Sequence, residues 1–201
     1  MIKAIETVYK GYRFRSRLEA RWAVFFDEMG IEYQYEPEGF ETKNGWYLPD
    51  FYLPEFNAWV EVKGDKSNFW EDVRKLTEVC YFKNSIGMML GGDPVESLSN
   101  DHHHNFMLIC GDVTESGGGE SVSGFSFCHM NGKAMILPDG VGDGNRGRTH
   151  FTVELQSIAE KIIDMPDSRK MPLGITLSIA KRCATKARQA RFEHGESPDG
   201  V

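Results

Sequence analysis

The stretch at residues 45–63 constrains the fold of this chain more than any other. It contains two short runs rich in aromatic and β-branched residues, 46–53 and 58–63, separated by the sequence PEFN. Two such runs on either side of a turn segment are typical of a β-hairpin with a four-residue loop. This loop would place Leu53 opposite Ala58, which fixes the register of the hairpin.

The predicted register brings charged residues together. Counting back from the loop puts Asp50 opposite Glu61 and Leu48 opposite Lys63. Because side chains alternate along a strand, Glu61 and Lys63 share a face, and the valines on either side of Glu61 turn to the other, buried face. We therefore expect one face of the hairpin to carry Asp50, Glu61 and Lys63.

The pairing of Asp50 with Glu61 is unfavourable for folding. Like charges directly across a ladder weaken a hairpin by some tenths of a kcal/mol, up to about 1 kcal/mol. A divalent cation between them would remove the repulsion, and hard cations such as Mg²⁺ prefer oxygen ligands. Lys63 could then orient an attacking water or stabilise charge on a phosphate. The alternative is a surface hairpin whose Glu61 and Lys63 are simply solvated.

The helix before the hairpin is clearly marked. Apolar residues recur at helical spacing across residues 16–29, Ser16 is a suitable N-cap, and a glycine follows the pattern. Glu19 lies at the edge of the buried stripe, where a carboxylate is costly unless it has a partner. A salt bridge from Glu19 to Arg15 or Arg17 would supply one.

These residues resemble a known nuclease superfamily. The sequence PD, ten further residues and then EVK, at residues 49–63, is similar to the signature of the PD-(D/E)XK superfamily, which has the restriction-endonuclease-like fold. The resemblance covers roughly the first ninety residues. Within the superfamily it is most similar to compact phage nucleases and to the DNA-cleaving subunit of heteromeric transposases. The glutamine and tyrosine pattern of recombination-type exonucleases is not matched, which disfavours a resection role.

The resemblance implies a metal site and a set of roles. Glu19, Asp50 and Glu61 would hold one or two Mg²⁺ or Mn²⁺ ions, since carboxylate-rich sites favour hard ions. Lys63 would position the attacking water and help to deprotonate it. Candidate contacts to nucleic-acid phosphates are Arg13, Arg15, Arg17 and Lys66.

The order of predicted elements matches the core of that fold. Helix 16–29 is followed by a strand at 31–36, a connection at 40–44, the hairpin, a second helix capped by Ser67, and a buried strand at 85–90. The apolar stripe of the second helix is predicted at Trp70, Val73, Leu76, Thr77 and Cys80. We expect an α/β protein in which helices flank a central mixed sheet.

Three segments are expected. Residues 1–94 form the nuclease core, residues 95–150 add β-strands and Gly-rich loops to the same domain, and residues 151–201 form a C-terminal helical extension. The added elements are predicted as strands at 106–110, 125–128 and 134–137, either on the sheet or as a small β appendage, and as helices at 151–163 and 176–192.

Other metal ligands are disfavoured. The adjacent histidines at 102–104 cannot all point at one ion, which favours an exposed polar loop. Cys110, Cys128 and His129 do not have a diagnostic zinc spacing. The four cysteines include no CxxC, which predicts reduced thiols in a reducing compartment.

The charge distribution is uneven. The net charge of -7 argues against a general nucleic-acid coat. Two stretches are nevertheless basic: Lys10, Arg13, Arg15, Arg17 and Arg21, and then Lys181, Arg182, Lys186, Arg188 and Arg191. The alternative to phosphate binding is a pair of ordinary solvated faces.

The expected function is metal-dependent hydrolysis of phosphodiester bonds in DNA, by an endonuclease. No apolar run is long enough to span a bilayer, so a cytoplasmic protein without a membrane partner is expected, in the host cytoplasm if phage-encoded. A homodimer stays open. The alternative is a catalytically silent protein on the same fold that binds nucleic acid or inhibits host defence.

Overall fold

The computed structural model describes residues 5–64, 68–95, 106–110, 121–123, 125–130, 133–138 and 173–192. Its helices are α1 (Arg17–Met29), α2 (Phe69–Lys83) and α3 (Leu173–Gln189). Its first strands are β1 (Thr7–Tyr9), β2 (Tyr12–Phe14), β3 (Gln34–Tyr35), β4 (Phe40–Thr42), β5 (Gly45–Tyr47) and β6 (Phe51–Leu53). The later strands are β7 (Ala58–Lys63), β8 (Ile86–Gly91), β9 (Phe106–Cys110), β10 (Ser121–Ser123), β11 (Phe125–Met130) and β12 (Lys133–Pro138).

A six-stranded mixed sheet is the centre of this α/β fold. Its order is β10, β9, β8, β7, β6, β3, and within it only β7 and β8 pair in parallel. Strand β7 is buried along almost its whole length, as expected for a parallel strand covered on both faces. The predicted mixed sheet with flanking helices is confirmed at this level.

The two faces of the sheet form separate cores. Val60 and Val62 pack with α1, α3 and the β11–β12 hairpin in one cluster. Trp59 packs with Val73 and Leu76 of α2 in the other. The valines of β7 thus lie on a buried face as predicted, and α2 covers much of the opposite face.

Residues 16–30 form the helix and caps that the sequence predicts. The Ser16 side chain accepts a hydrogen bond from the Glu19 amide at 3.2 Å. Gly30 ends α1 with a φ of 72°, a conformation that side-chain-bearing residues rarely adopt.

The hairpin loop is also confirmed. Leu53 pairs with Ala58, and a 3-10 turn over Pro54–Phe56 is closed by Asn57 at a positive φ. The prediction of one continuous strand at 46–53 is wrong.

The chain instead forms β5, which pairs with β4, and then β6, which pairs with β7. Pro49 has no amide proton and restricts Leu48, so it interrupts the ladder between these strands. Consequently the ladder of β6 with β7 runs from the pair Phe51 and Val60 to the pair Leu53 and Ala58 and does not reach Leu48 and Lys63. Residues 40–44 contain strand β4 and are more than a connection.

Strand β3 is shorter than the predicted strand at 31–36, whereas β8 lies close to the predicted 85–90. Helix α2 begins after Asn68; Ser67, its predicted cap, lies outside the described residues. Four of the five residues predicted for the apolar stripe of α2 are buried, but Trp70 is 60% exposed. Phe69 packs instead against the cluster that contains Trp59, Val73 and Leu76.

Of the strands after residue 94, β9 matches the predicted strand at 106–110, β11 and β12 contain those predicted at 125–128 and 134–137, and β10 is not among the predicted strands. Strands β9 and β10 extend the sheet, while β11 and β12 form a separate hairpin against α3. Helix α3 runs from Leu173 to Gln189 instead of 176–192. The predicted helix at 151–163 lies outside the described residues. No helix in the described ranges has the length and apolarity needed to cross a membrane.

Candidate active site

The predicted site residues lie where three elements meet. Glu61 and Lys63 are on β7, Asp50 immediately precedes β6, and Glu19 is in the first turn of α1. The register of β6 and β7 pairs Phe51 with Val60, so one further step places Asp50 opposite Glu61, as the sequence predicts.

Asp50 is only 3% exposed and is held by two donors. Its Oδ2 accepts a hydrogen bond of 2.8 Å from the Val62 amide. Its Oδ1 accepts one of 2.9 Å from the Arg15 guanidinium, which also pairs with Glu36. Asp50 is therefore tied both to the central strand and to the segment before α1.

Glu61 is 7% exposed and lies between a phenol and an ammonium group. The Tyr47 hydroxyl donates to its Oε2 at 3.0 Å, and Lys63 Nζ lies 2.8 Å from its Oε1. Lys63 makes a second ion pair of 2.6 Å with Asp72 of α2. Glu61 and Lys63 thus share one face at the end of β7, as predicted.

Glu19 is buried at the start of α1. It accepts hydrogen bonds from the Arg15 amide at 3.0 Å, the Ser16 hydroxyl at 2.6 Å and the Tyr35 hydroxyl at 2.6 Å. This resembles a capping box, in which a glutamate three residues after the N-cap closes the helix start. Capping alone would account for a glutamate here, so the position of Glu19 is weaker evidence for catalysis than Asp50 and Glu61.

The buried carboxylates act on one another. Burial raises the pKa of Asp50 well above its usual range, and the charges of Glu61 and Glu19 raise it further. Burial likewise raises the pKa of Glu61, although Lys63 and Tyr47 oppose that shift. The site therefore holds negative charge at an electrostatic cost that the fold only partly offsets.

Two acidic neighbours of Lys63 favour its charged form. Burial alone would lower the pKa of Lys63, but the neighbouring Glu61 and Asp72 raise it above its ordinary value. Burial and Glu61 also raise the pKa of Tyr47, which keeps its hydroxyl as a donor. This favours Lys63 as an orienting and charge-stabilising group over Lys63 as a proton acceptor.

Basic side chains lie on the carboxylates that would bind a metal. Within the described ranges, no three or more His, Cys, Asp and Glu side chains are arranged to hold an ion. Arg15 contacts Asp50 and Lys63 contacts Glu61. The oxygen donors nevertheless suit Mg²⁺ or Mn²⁺ in chemistry, since they are buried carboxylates that repel one another. More than half of the Arg15 side chain is exposed, which gives it room to move away from Asp50 if an ion binds there.

The residues predicted to contact phosphates lie in different parts of the structure. Arg15 is part of the site, whereas Arg13 is exposed on β2 and pairs with Glu6 at 3.5 Å. Arg17 lines a separate cleft, described below. Lys66 and the histidines at 102–104 lie outside the described residues, as do the side chains of Cys110, Cys128 and His129.

Sequence reasoning missed the residues that hold the site in place. They are Tyr35, Glu36, Tyr47 and Asp72. Only Tyr47 had a local signal, because it lies on the run of residues that leads into Asp50.

Comparison with known proteins adds no relative: no family model, no curated protein and no solved structure matches the chain. A functional conclusion therefore depends on the chemistry of these residues.

Proposed function

We propose that this protein is a metal-dependent nuclease of the PD-(D/E)XK type, with a restriction-endonuclease-like core, that hydrolyses phosphodiester bonds in DNA. The observation that carries the proposal is the juxtaposition of buried Asp50 and Glu61 with Lys63 at one end of β7. A solvated surface hairpin would leave such side chains exposed, and here they are not. Folding gains little from two facing carboxylates, so a use for them is expected.

The proposed roles follow from the contacts. Asp50 and Glu61, with Glu19 nearby, would hold Mg²⁺ or Mn²⁺, which when bound supplies Lewis-acid stabilisation of the phosphate. Lys63, kept protonated by Glu61 and Asp72, would donate to the attacking water or to a phosphate oxygen. Arg15 would exchange Asp50 for a substrate phosphate, to which a guanidinium binds in a bidentate manner.

A second candidate is a protein on this fold that binds DNA without cutting it. The ion pair of Arg15 with Asp50 favours this candidate, because it places an organic cation on the carboxylate that a metal would need. The two candidates differ in whether Asp50 is required for a covalent change in the substrate.

Cleavage assays separate these candidates. Linear, circular, branched and single-stranded DNA would be incubated with Mg²⁺ or Mn²⁺ and the wild-type protein, Asp50→Asn or Lys63→Met. The matched control is Glu55→Gln, which neutralises an exposed carboxylate in the loop of the same hairpin. We expect metal-dependent cleavage by the wild type and the control, including cutting of circular DNA, and its loss in both site variants.

Two results would contradict the proposal. The first is binding of DNA without any cleavage in either metal, which would support the silent binding protein. The second is cleavage that survives Asp50→Asn and Lys63→Met, which would locate the activity elsewhere.

A further inference from the structure

An open cleft of about 750 Å³ lies between the start of α1 and the residues that end and follow α3. Its described lining residues are Arg17, Arg21, Arg188, Gln189, Ala190, Arg191 and Phe192. Four of the seven are arginines and none is acidic. The whole chain carries a net charge of -7, so a cluster of four arginines is not typical of this protein.

A buried carboxylate, that of Asp93, contacts two of these arginines. Asp93, 6% exposed, accepts a bidentate pair of hydrogen bonds from Arg188 at 2.7 to 2.9 Å. Arg21 approaches the same carboxylate at 3.8 Å. Asp93 therefore binds the guanidinium of Arg188 and lies close to that of Arg21.

The cleft and the candidate active site share the first turns of α1. Arg17 and Arg21 are four residues apart and lie on one side of the helix. Glu19, midway between them, lies on the opposite side and faces the site at Arg15 and Tyr35. The two places are thus separated by about the width of one helix, on the order of 10 Å.

The fold unites two basic stretches that are remote in sequence. Arg17 and Arg21 come from the first, while Arg188 and Arg191 come from the last described helix and its end. Contacts between α1 and α3 bring them together. The C-terminal helix thereby adds to a surface beside the site as well as to the core.

We propose that this arginine cleft binds the phosphodiester backbone of the nucleic-acid substrate beside the active site. Guanidinium groups recognise phosphate oxygens through planar, bidentate hydrogen bonds. Several of them spread along an open cleft suit a chain of phosphates, whereas a single small phosphate would favour an enclosed pocket. Such contacts position the substrate without reading its sequence. This inference rests on the proposed function, since it states how the same site receives its substrate.

The test measures DNA binding apart from cleavage. A short fluorescein-labelled DNA duplex would be titrated in the presence of a chelator, and Kd would be followed by anisotropy over a range of salt concentrations. The test variant is Arg21→Gln with Arg191→Gln, which leaves the Arg188 pair with Asp93 in place. The matched control is Lys181→Gln with Arg182→Gln, which removes the same charge from exposed positions of α3 outside the lining of the cleft.

The expected result is a loss of affinity of about tenfold or more in the test variant, with a smaller slope of log K against log salt. Each lost phosphate contact reduces that slope by about 0.9. The control should retain the wild-type slope. Unchanged binding by the test variant, or an equal loss in the control, would overturn the proposal. Binding of free pyrophosphate in preference to the duplex would also overturn it, in favour of a small phosphate ligand.

The two experiments distinguish failure of the cleft proposal from failure of the nuclease proposal. If the test variant binds and cuts DNA like the wild type, the cleft proposal falls and the nuclease stands. If the cleft variant loses binding but no metal supports cleavage by the wild type, the nuclease falls and the cleft stands as a binding surface.

Discussion

The guanidinium of Arg15 lies 2.9 Å from a carboxylate oxygen of Asp50, one of the residues proposed to bind the metal ion. Asp50 is almost fully buried, whereas more than half of the Arg15 side chain is exposed. Arg15, the exposed partner, has more room than Asp50 to move out of this ion pair. Arg15 thus acts as an internal counter-ion for a carboxylate whose burial and whose neighbours Glu61 and Glu19 make its charge unfavourable.

Replacing Arg15 should strengthen metal binding. In Arg15→Gln the ion no longer displaces a bound guanidinium, so we expect Mn²⁺ to bind several-fold more tightly, measured by isothermal titration calorimetry at pH 8. Arg13→Gln is the control, because Arg13 pairs with Glu6 at the surface. Equal or weaker Mn²⁺ binding by Arg15→Gln would show that Arg15 does not compete for this site.

The stability of Asp50→Asn tests the electrostatic cost of the site. Asparagine keeps an oxygen acceptor for the Val62 amide but removes the charge that Glu61 and Glu19 repel. Without metal at pH 8 we expect the free energy of unfolding to rise, because burial and the neighbouring carboxylates disfavour the charged form of Asp50 in the folded state. Urea denaturation in a chelator measures it.

Asp93→Asn is the matched control for that measurement. Asp93 is also a buried aspartate, but a bidentate pair with Arg188 satisfies it. Its removal should destabilise the fold by about 1–3 kcal/mol, the cost of a charged hydrogen bond left unmade. A similar loss in Asp50→Asn would show that Asp50 is an ordinary structural ion pair.

The metal-free protein should lose stability as the pH rises from mildly acidic to neutral. Burial raises the pKa of Asp50 and of Glu61 above their unfolded values, so in this range the folded state binds more protons than the unfolded state. The free energy of unfolding then falls with pH, beginning near about pH 4, where unfolded carboxyl groups titrate, and ending above the raised folded pKa.

Urea unfolding from pH 5 to pH 8 would measure this slope. Asp50→Asn should reduce it, because one of the two responsible groups no longer titrates. Saturating Mg²⁺ should reduce it as well, since an ion stabilises the charged carboxylates. A wild-type slope of the opposite sign would mean that Arg15 and Lys63 already satisfy both groups.

The local part of the site was predictable from sequence. The PEFN loop sets the pairing of Leu53 with Ala58, and alternation along the strands then places Asp50 and Glu61. The same counting fails at Leu48, because Pro49 interrupts the ladder and β5 pairs with β4 instead. Counting along a strand holds only while the ladder is continuous.

The partners that set the charge of the site were not predictable. Asp72 reaches Lys63 because helix α2 packs on the sheet through Val73 and Leu76. Arg15 reaches Asp50 across a separation of 35 residues in the chain. Such contacts depend on how whole elements pack, and residue spacing carries no information about that.

The role of Asp72 gives a prediction specific to catalysis. Asp72 lies in the first turn of α2 and pairs with Lys63 at 2.6 Å, helping to keep its pKa above the ordinary value. Asp72→Asn should lower the pKa of Lys63, so the alkaline limb of the pH profile for DNA cleavage should move to lower pH. Glu71→Gln is the control on the same turn, since Glu71 is exposed and pairs with Lys75. An alkaline limb that stays in place in Asp72→Asn while kcat falls would contradict this prediction and assign Asp72 a role in packing alone.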